Sequence, residues 1–173
     1  AGGTLRADFM SSPGLADGIV QFTVPSFEYP RSDLPETVHF VGPVSRTRPT
    51  DMPLPEWWGD LDGSRPVVHV TQGTVANTDF GELIDPAIEG LADEDVLVVV
   101  STGGRPVPAR DYPANVRIAP YLPYDKLLPL TDVMVTNGGY GGVHYALEHG
   151  VPLVSAGLTE DKIEVTARVD WFG

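Results

Sequence analysis

Three stretches of this chain run through the apolar residues with almost no polar break: PVVHVT at 66–71, DVLVVVS at 95–101 and DVMVT at 132–136. A strand with one wet face alternates apolar and polar residues. A continuous Val-rich run leaves no side suited to water, so it needs cover on both faces. That is the condition of a strand inside a parallel sheet sandwiched between helices. The segments between the runs supply the cover. Residues 79–91 place Phe80, Leu83, Ile84, Ala87, Ile88 and Leu91 along one side, which predicts a helix. Pro86 predicts that it kinks there, or restarts with Asp85 as N-cap and Pro86 at the first position. Shorter strands at 116–119 and 152–156, a helical turn at 126–130, and helices at 142–149 and 159–171 continue the alternation. Residues 65–173 therefore read as an α/β domain, a Rossmann-like doubly wound parallel sheet whose last elements are expected beyond residue 173.

The first 50 residues have a different character. Two short strands, 19–24 and 37–41, flank a Pro-rich segment, and Pro43, Pro49, Pro53 and Pro55 then mark an extended linker. Two strands with so little helix beside them cannot bury a core of their own. Residues 1–50 are expected to be the tail of a preceding domain with its linker, and 51–173 the second domain.

Charge narrows the partners. There are 24 acidic residues against 11 Lys plus Arg, a formal net charge of −13. Such a surface repels nucleic acid and anionic membranes unless a basic patch intervenes. The densest basic segment is only Arg46 and Arg48. No apolar run has the length of a membrane span and no signal peptide is visible, so a cytoplasmic location is expected. Arg outnumbers Lys nine to two, which fits a GC-rich bacterial genome. The absence of cysteine excludes disulfides, thiolate zinc sites and Cys nucleophiles. The four histidines are scattered, no G-x-S-x-G elbow is present, and no metal site is expected.

In an open parallel sheet, ligands sit beyond the carboxyl ends of the strands. Three of the turns there are Gly-rich: Thr71-Gln72-Gly73-Thr74, Ser101-Thr102-Gly103-Gly104, and Asn137-Gly138-Gly139-Tyr140-Gly141-Gly142. The third packs four glycines into five residues ahead of a helix. Glycines without Cβ let a phosphate reach backbone N–H groups at a helix N-terminus, but they also serve a tight strand-to-helix corner. Both readings stand at this point. A nicotinamide-dinucleotide fingerprint fits poorly, because His144 occupies the place of its third glycine. Thr159-Glu160-Asp161-Lys162 reads as a helix start with Thr159 as N-cap, and equally as carboxylates placed for sugar hydroxyls. His149, followed by Gly150, reads as a partner for the helix C-terminus.

The run from Asn137 through Gly150-Val151-Pro152 to Asp161-Lys162 resembles the donor-binding signature of nucleotide-sugar-dependent glycosyltransferases of GT-B fold, notably the macrolide and natural-product enzymes akin to the UDP-glycosyltransferases. The resemblance makes this chain the C-terminal, donor-binding half of such a fold, preceded by a remnant of the acceptor domain. It implies that Tyr121, in Tyr121-Leu122-Pro123, stacks on the nucleotide base, with Leu122 beside it. Asn137 stands where the family has a diphosphate-contacting histidine. Gly138, Gly139, Gly141, Gly142 and Val143 match the phosphate loop, with Gly73, Thr74 and Thr102 near the diphosphate. Glu160, Asp161 and Lys162 fall where sugar hydroxyls are bound. Tyr replaces Trp at 121, Lys replaces Gln at 162, and Tyr145 stands where plant members place a ribose-binding Glu.

The implied activity is inverting transfer of a sugar from a UDP- or dTDP-sugar to a hydroxyl of a small-molecule acceptor. No metal or other cofactor is implied, because the glycine loop and helix dipole would stabilise the departing diphosphate. The family's general base is a histidine early in the acceptor domain, so no catalytic residue is expected in this chain. A non-catalytic nucleotide-sugar-binding module and a GT-B-fold sugar-nucleotide epimerase are the other readings, and the oligomeric state is left open.

Overall fold

The Val-rich runs form the middle of a five-stranded parallel sheet. The computed structural model describes Ser11, residues 14–43 and residues 51–173. They divide into two compact units, Ala1–Val44 with Phe172, and Ser45–Trp171 with Gly173. The expected domain boundary near residue 50, with Arg46, Arg48 and most of the linker, lies outside the described residues.

In the first unit, β1 (Ile19–Gln21) pairs in parallel with β2 (Val38–Phe40), through a crossover that holds a 3-10 turn at Pro25–Phe27. Both strands predicted for this region are present, each shorter than expected.

The second unit contains β3 (Val67–Thr71), β4 (Leu97–Ser101), β5 (Val116–Ala119), β6 (Val133–Thr136) and β7 (Leu153–Ser155), in the spatial order β5-β4-β3-β6-β7. All neighbours are parallel. Every residue of β3 and β4 is buried, as their uninterrupted apolar sequence requires. β7 lies on an edge, and its Val154 is exposed.

The period of two along the strands sorts their side chains to the two faces. Val68, Val70, Val98 and Val100 pack with Ile84 and Ile88 of helix α1 (Ile84–Gly90). Val67, Leu97 and Val99 face the other way, against Leu127 of α2 (Tyr124–Leu127), Trp57 and Trp58. Met134 of β6 packs with Ala146 of α3 (Tyr140–Glu148) and with Leu128 and Val151. Helix α4 (Lys162–Phe172) buries Val165. Burying one such aliphatic side chain contributes about 1.5–3 kcal/mol, which is why the pattern holds against helix-breaking residues.

Pro86 illustrates the point. The helix does restart, but two residues earlier than expected: a 3-10 turn at Phe80–Glu82 leads into α1, whose N-cap is Leu83 rather than Asp85, and Pro86 is its third residue. The first four N–H groups of a helix have no partner within it, so a residue without one is tolerated there. Asp85 pairs instead with Arg110. Two other predicted boundaries shift. Helix α3 starts at Tyr140, two residues early, because Gly139 takes the extended N-cap conformation. The turn predicted at 126–130 is α2 followed by a 3-10 turn at Leu128–Leu130.

One polar side chain interrupts the core. His69 of β3 is fully buried; its Nδ1 lies 2.8 Å from the Val99 carbonyl and its Nε2 3.1 Å from the Tyr124 hydroxyl. Burial holds its pKa down to about 4, against 6.5 for a free histidine. The unfolded chain takes up the proton near 6.5 and the folded chain only near 4, so acid between those values favours unfolding. His69 is expected to cost the fold about 3 kcal/mol by the bottom of that interval. Thermal midpoints measured from pH 7 to pH 4.5 should fall less steeply for His69→Leu than for the parent protein; equal slopes would show that His69 is not the group responsible.

Candidate functional site

The strand order places a topological switch point between β3 and β6, the first strand of the sheet and the one added on its other side. The connections from these two strands leave toward different neighbours, and a crevice opens between them. A cavity of about 630 Å³ lies there, beyond the carboxyl ends of the strands. It is bounded by the turn after β3, the loop after β6, the segment Tyr121–Asp125, one face of α3 and the start of α4.

The two glycine turns are held close. Asn137 is buried, and its amide nitrogen donates to the Gln72 carbonyl and, at 3.4 Å, to the Ala76 carbonyl. Its Oδ1 accepts from the Gly139 N–H at 3.4 Å. Asn137 therefore joins the loop after β6 to the turn after β3, and its donors are directed at backbone carbonyls. Asn77 adds a second tie, donating to Gly73 and Thr102 carbonyls at 2.8 and 2.9 Å.

The glycines of the loop differ in kind. Gly138 has φ +80°, and a Cβ there would come within 2.7 Å of Ser155 Oγ and 2.8 Å of Thr166 Oγ1. It turns a corner where β7 and α4 crowd the backbone, and it does not line the cavity. Gly139, Gly141 and Gly142 do line it. A Cβ on Gly141 would meet no described protein atom within 4 Å, so the space beside it is open to a ligand. The first helical bond of α3 runs from Val143 N–H to Gly139 C=O at 3.1 Å. The N–H groups of Gly141 and Gly142 precede it and find no carbonyl within the helix. They sit at the positive end of the helix dipole, the arrangement that holds an anion.

Most of the sequence-predicted residues converge here. Gly73, Thr74, Tyr121, Leu122, Asn137, Glu160, Asp161 and Lys162 line the cavity with the three glycines. Tyr121 is half-exposed, its ring available on one side. Three do not line it. Gly138 is the corner just described. Val143 is wholly buried because the helix turns its side chain into the core, and Thr102 is buried with its hydroxyl 2.5 Å from the Arg105 carbonyl.

The start of α4 departs from the expected cap. Thr159 is not the N-cap; Asp161 occupies that position and its side chain makes no capping bond. The cause is Glu160, whose backbone adopts φ +57°, a left-handed conformation rare for a non-glycine residue. That bend leaves Thr159 accepting the Lys162 N–H through its carbonyl at 3.1 Å. Lys162 is buried and its ammonium pairs with Glu160. Gly157 permits the close packing: a Cβ there would lie 1.7 Å from the Asn137 carbonyl oxygen.

Some cavity residues were not among the binding residues expected from sequence. Thr71 and Ser101 are the last residues of β3 and β4, and both contribute to its floor. A hydroxyl residue closing each Val-rich run is the signal that could have found them. Tyr124, Tyr145, Glu148 and His149 also line the cavity. The last three share a helix face at spacings of three and four, a pattern hidden because His149 also serves the helix end. Its Nδ1 donates to the Tyr145 carbonyl at 2.9 Å, and Gly150 follows at φ +66°.

A parallel sheet of this order with an anion-suited loop at its switch point is a doubly wound arrangement that the donor domains of GT-B glycosyltransferases share with other nucleotide-binding folds. Residues 85–173 match the family described as erythromycin biosynthesis protein CIII-like, C-terminal domain, and the chain belongs to that family. It is 61% identical over 151 residues to 4'-demethylrebeccamycin synthase of Lentzea aerocolonigenes, covering 87% of this chain and 35% of that protein. It is 42% identical over 171 residues to UDP-glucosyltransferase avaP of Aspergillus versicolor, covering 95% and 38%. The solved glycotransferase of kitacinnamycin superposes with a TM-score of 0.75 at 27% identity, over 96% of this chain and 43% of that one. The chain thus spans little more than a third of the length of the relatives it matches.

Two substitutions separate the corner from the cradle. Gly138→Ala should destabilise the fold by about 2–4 kcal/mol through its left-handed backbone and crowded Cβ. Gly141→Val should change stability by no more than about 0.5 kcal/mol yet abolish binding of UDP or dTDP. Chemical denaturation and calorimetry on both variants check this, and undiminished binding by Gly141→Val would make the whole loop a corner.

Proposed function

We propose that the full-length protein is an inverting glycosyltransferase that moves a sugar from a UDP- or dTDP-sugar to a hydroxyl of a small-molecule acceptor. This chain would supply the donor half. The observation that carries the proposal is the pairing of the Gly73 turn with the open start of α3 across the switch point, in a cavity of about 630 Å³. A diphosphate at this point would meet the N–H groups of Gly141 and Gly142. The base would lie toward Tyr121, and the sugar toward Glu160, Asp161 and Lys162. The names of the relatives, a UDP-glucosyltransferase among them, support a nucleotide-sugar donor.

The chemistry required of these residues is stabilisation of a leaving nucleoside diphosphate. Neutral donors fixed in advance do this without reorganising, and better in a site shielded from water than in bulk. They can act without a divalent metal, and we assign none. The proton of the acceptor hydroxyl would be taken by a base outside this chain, on the acceptor domain. Attack from the face opposite the leaving group gives inversion.

Calorimetry of the full-length protein with UDP, dTDP and their glucosyl derivatives tests the donor site. Binding in the micromolar to low millimolar range is expected, and no binding at millimolar ligand from a folded sample would overturn the reading. Donor hydrolysis and transfer should persist in EDTA. Loss of activity on chelation, restored by a divalent ion, would overturn the metal-free assignment.

A further inference from the structure

Of the three glycine-rich turns at the carboxyl edge of the sheet, the one after β4 gives least to the cavity. Ser101 and Gly103 line it, while Thr102 is buried and Gly104 lies outside the lining. Yet Gly103 and Gly104 both take left-handed backbone, at φ +62° and +90°. For Gly103 the neighbouring turn explains the glycine. A Cβ on it would lie 1.9 Å from the Gly73 carbonyl oxygen and 2.7 Å from Asn77 Nδ2. For Gly104 the neighbour is an aromatic side chain. A Cβ there would lie 2.3 Å from the Tyr121 hydroxyl oxygen, 2.7 Å from Cζ and 2.9 Å from Cε2.

The phenol end of Tyr121 therefore rests directly on the Gly104 backbone. The main chain repeats the contact on the other side of the ring. The Gly104 N–H donates to the Pro120 carbonyl at 2.9 Å, and the Thr102 N–H to the Ala119 carbonyl at 3.1 Å. Tyr121 is held at two points, through the residue before it and at the tip of its ring. The ring between them is half-exposed and lines the cavity.

We propose that Gly104 is a positioning residue for the donor site: its bare backbone is the seat that sets the height and tilt of the Tyr121 ring, and so the surface on which the base stacks. This inference rests on the cavity being a nucleotide-sugar site with the base toward Tyr121. Gly104 acts through the ring and does not line the cavity itself. A side chain at 104 meets the free end of another side chain, so the ring yields before the fold does. To regain ordinary contact the hydroxyl has to retreat by about 1 Å, and the rigid ring tilts with it. A tilted ring meets a planar base along an edge and loses part of the stack. The phosphate wall, tied to Asn77 and Asn137, is left where it was.

Two consequences separate this role from a plain structural one. A ligand without a base should be indifferent to residue 104. The effect should also vanish once the ring is gone, because residues that act through one contact do not add their losses.

The experiment is calorimetry on the full-length protein with UDP and with inorganic pyrophosphate, each variant well below its melting temperature. Tyr121→Ala is expected to bind UDP about thirtyfold more weakly, within the range for loss of one stacked aromatic. Gly104→Ala should weaken UDP about fivefold and leave pyrophosphate within about twofold of the parent. Gly104→Asn should behave the same, since asparagine enters positive φ more readily than alanine but carries the same Cβ. The double variant Gly104→Ala with Tyr121→Ala should match Tyr121→Ala alone. Parental UDP affinity in Gly104→Asn, an equal loss for pyrophosphate, or additive losses in the double variant would overturn the proposal. If neither Gly104 variant folds, the glycine is required by the turn itself and the proposal is overturned as well. If the parent protein binds no UDP, it is the donor-site reading that fails, which the parent titration shows by itself.

Discussion

The site depends first on one side-chain amide. At the switch point of a doubly wound sheet, two adjacent strands send their connections toward different neighbours, and nothing in the strand ladder ties the loops together. Asn137 supplies that tie by donating to the Gln72 and Ala76 carbonyls. The bonds are buried, where leaving a carbonyl unpaired costs about 1–3 kcal/mol, so the two loops cannot drift apart cheaply. Glycine turns have no side chains with which to pack and would otherwise be the least determined part of the fold. The same residue that most resembles a ligand contact by its place in the sequence is thus engaged in building the site.

Around that clamp, the four glycines of the loop divide into two roles that only geometry could separate. Gly138 is required by the protein itself, through its left-handed φ and the nearness of Ser155 and Thr166. Gly141 faces open space, and an L-residue would fit there without meeting a described neighbour. Spacing along the chain makes them equivalent. What distinguishes them is which side of the backbone β7 and α4 occupy, a long-range fact.

The same distinction explains how much of the structure could be read from sequence. The parallel sheet was legible because burial on both faces forces uninterrupted apolar runs, and β3 and β4 have no other explanation. The location of the cavity was legible because it follows from strand direction. The helix starts were less so. Pro86 is placed by where Ile84 and Ile88 must face, not by the proline's own preference, and the α4 cap is displaced by the bend at Glu160. Val143 and Thr102 have motif positions suited to a ligand, yet the turn of α3 and the bond to Arg105 direct them inward. His69 and Tyr124 were not legible as partners at all. They are 55 residues apart and meet only because α2 covers the face of the sheet to which His69 points.

A chain with a net charge of −13 is an unlikely-looking host for a diphosphate, and the cavity shows how the conflict is resolved. Among the described residues that line it there is no arginine, and Lys162 is already paired with Glu160. Any anion there would be met by backbone N–H groups at the end of α3. Such donors are neutral, so the surrounding carboxylates do not cancel them, and they act over the length of a hydrogen bond, where the field of distant charges is largely screened. Rigid donors also lose little by waiting unpaired, since water serves them until a ligand arrives. Holding charge in this way asks for accuracy in backbone placement rather than for opposite charge. That is why the polar side chains of the site, Asn137 and Asn77 above all, are directed at carbonyls of the loops instead of into the cavity.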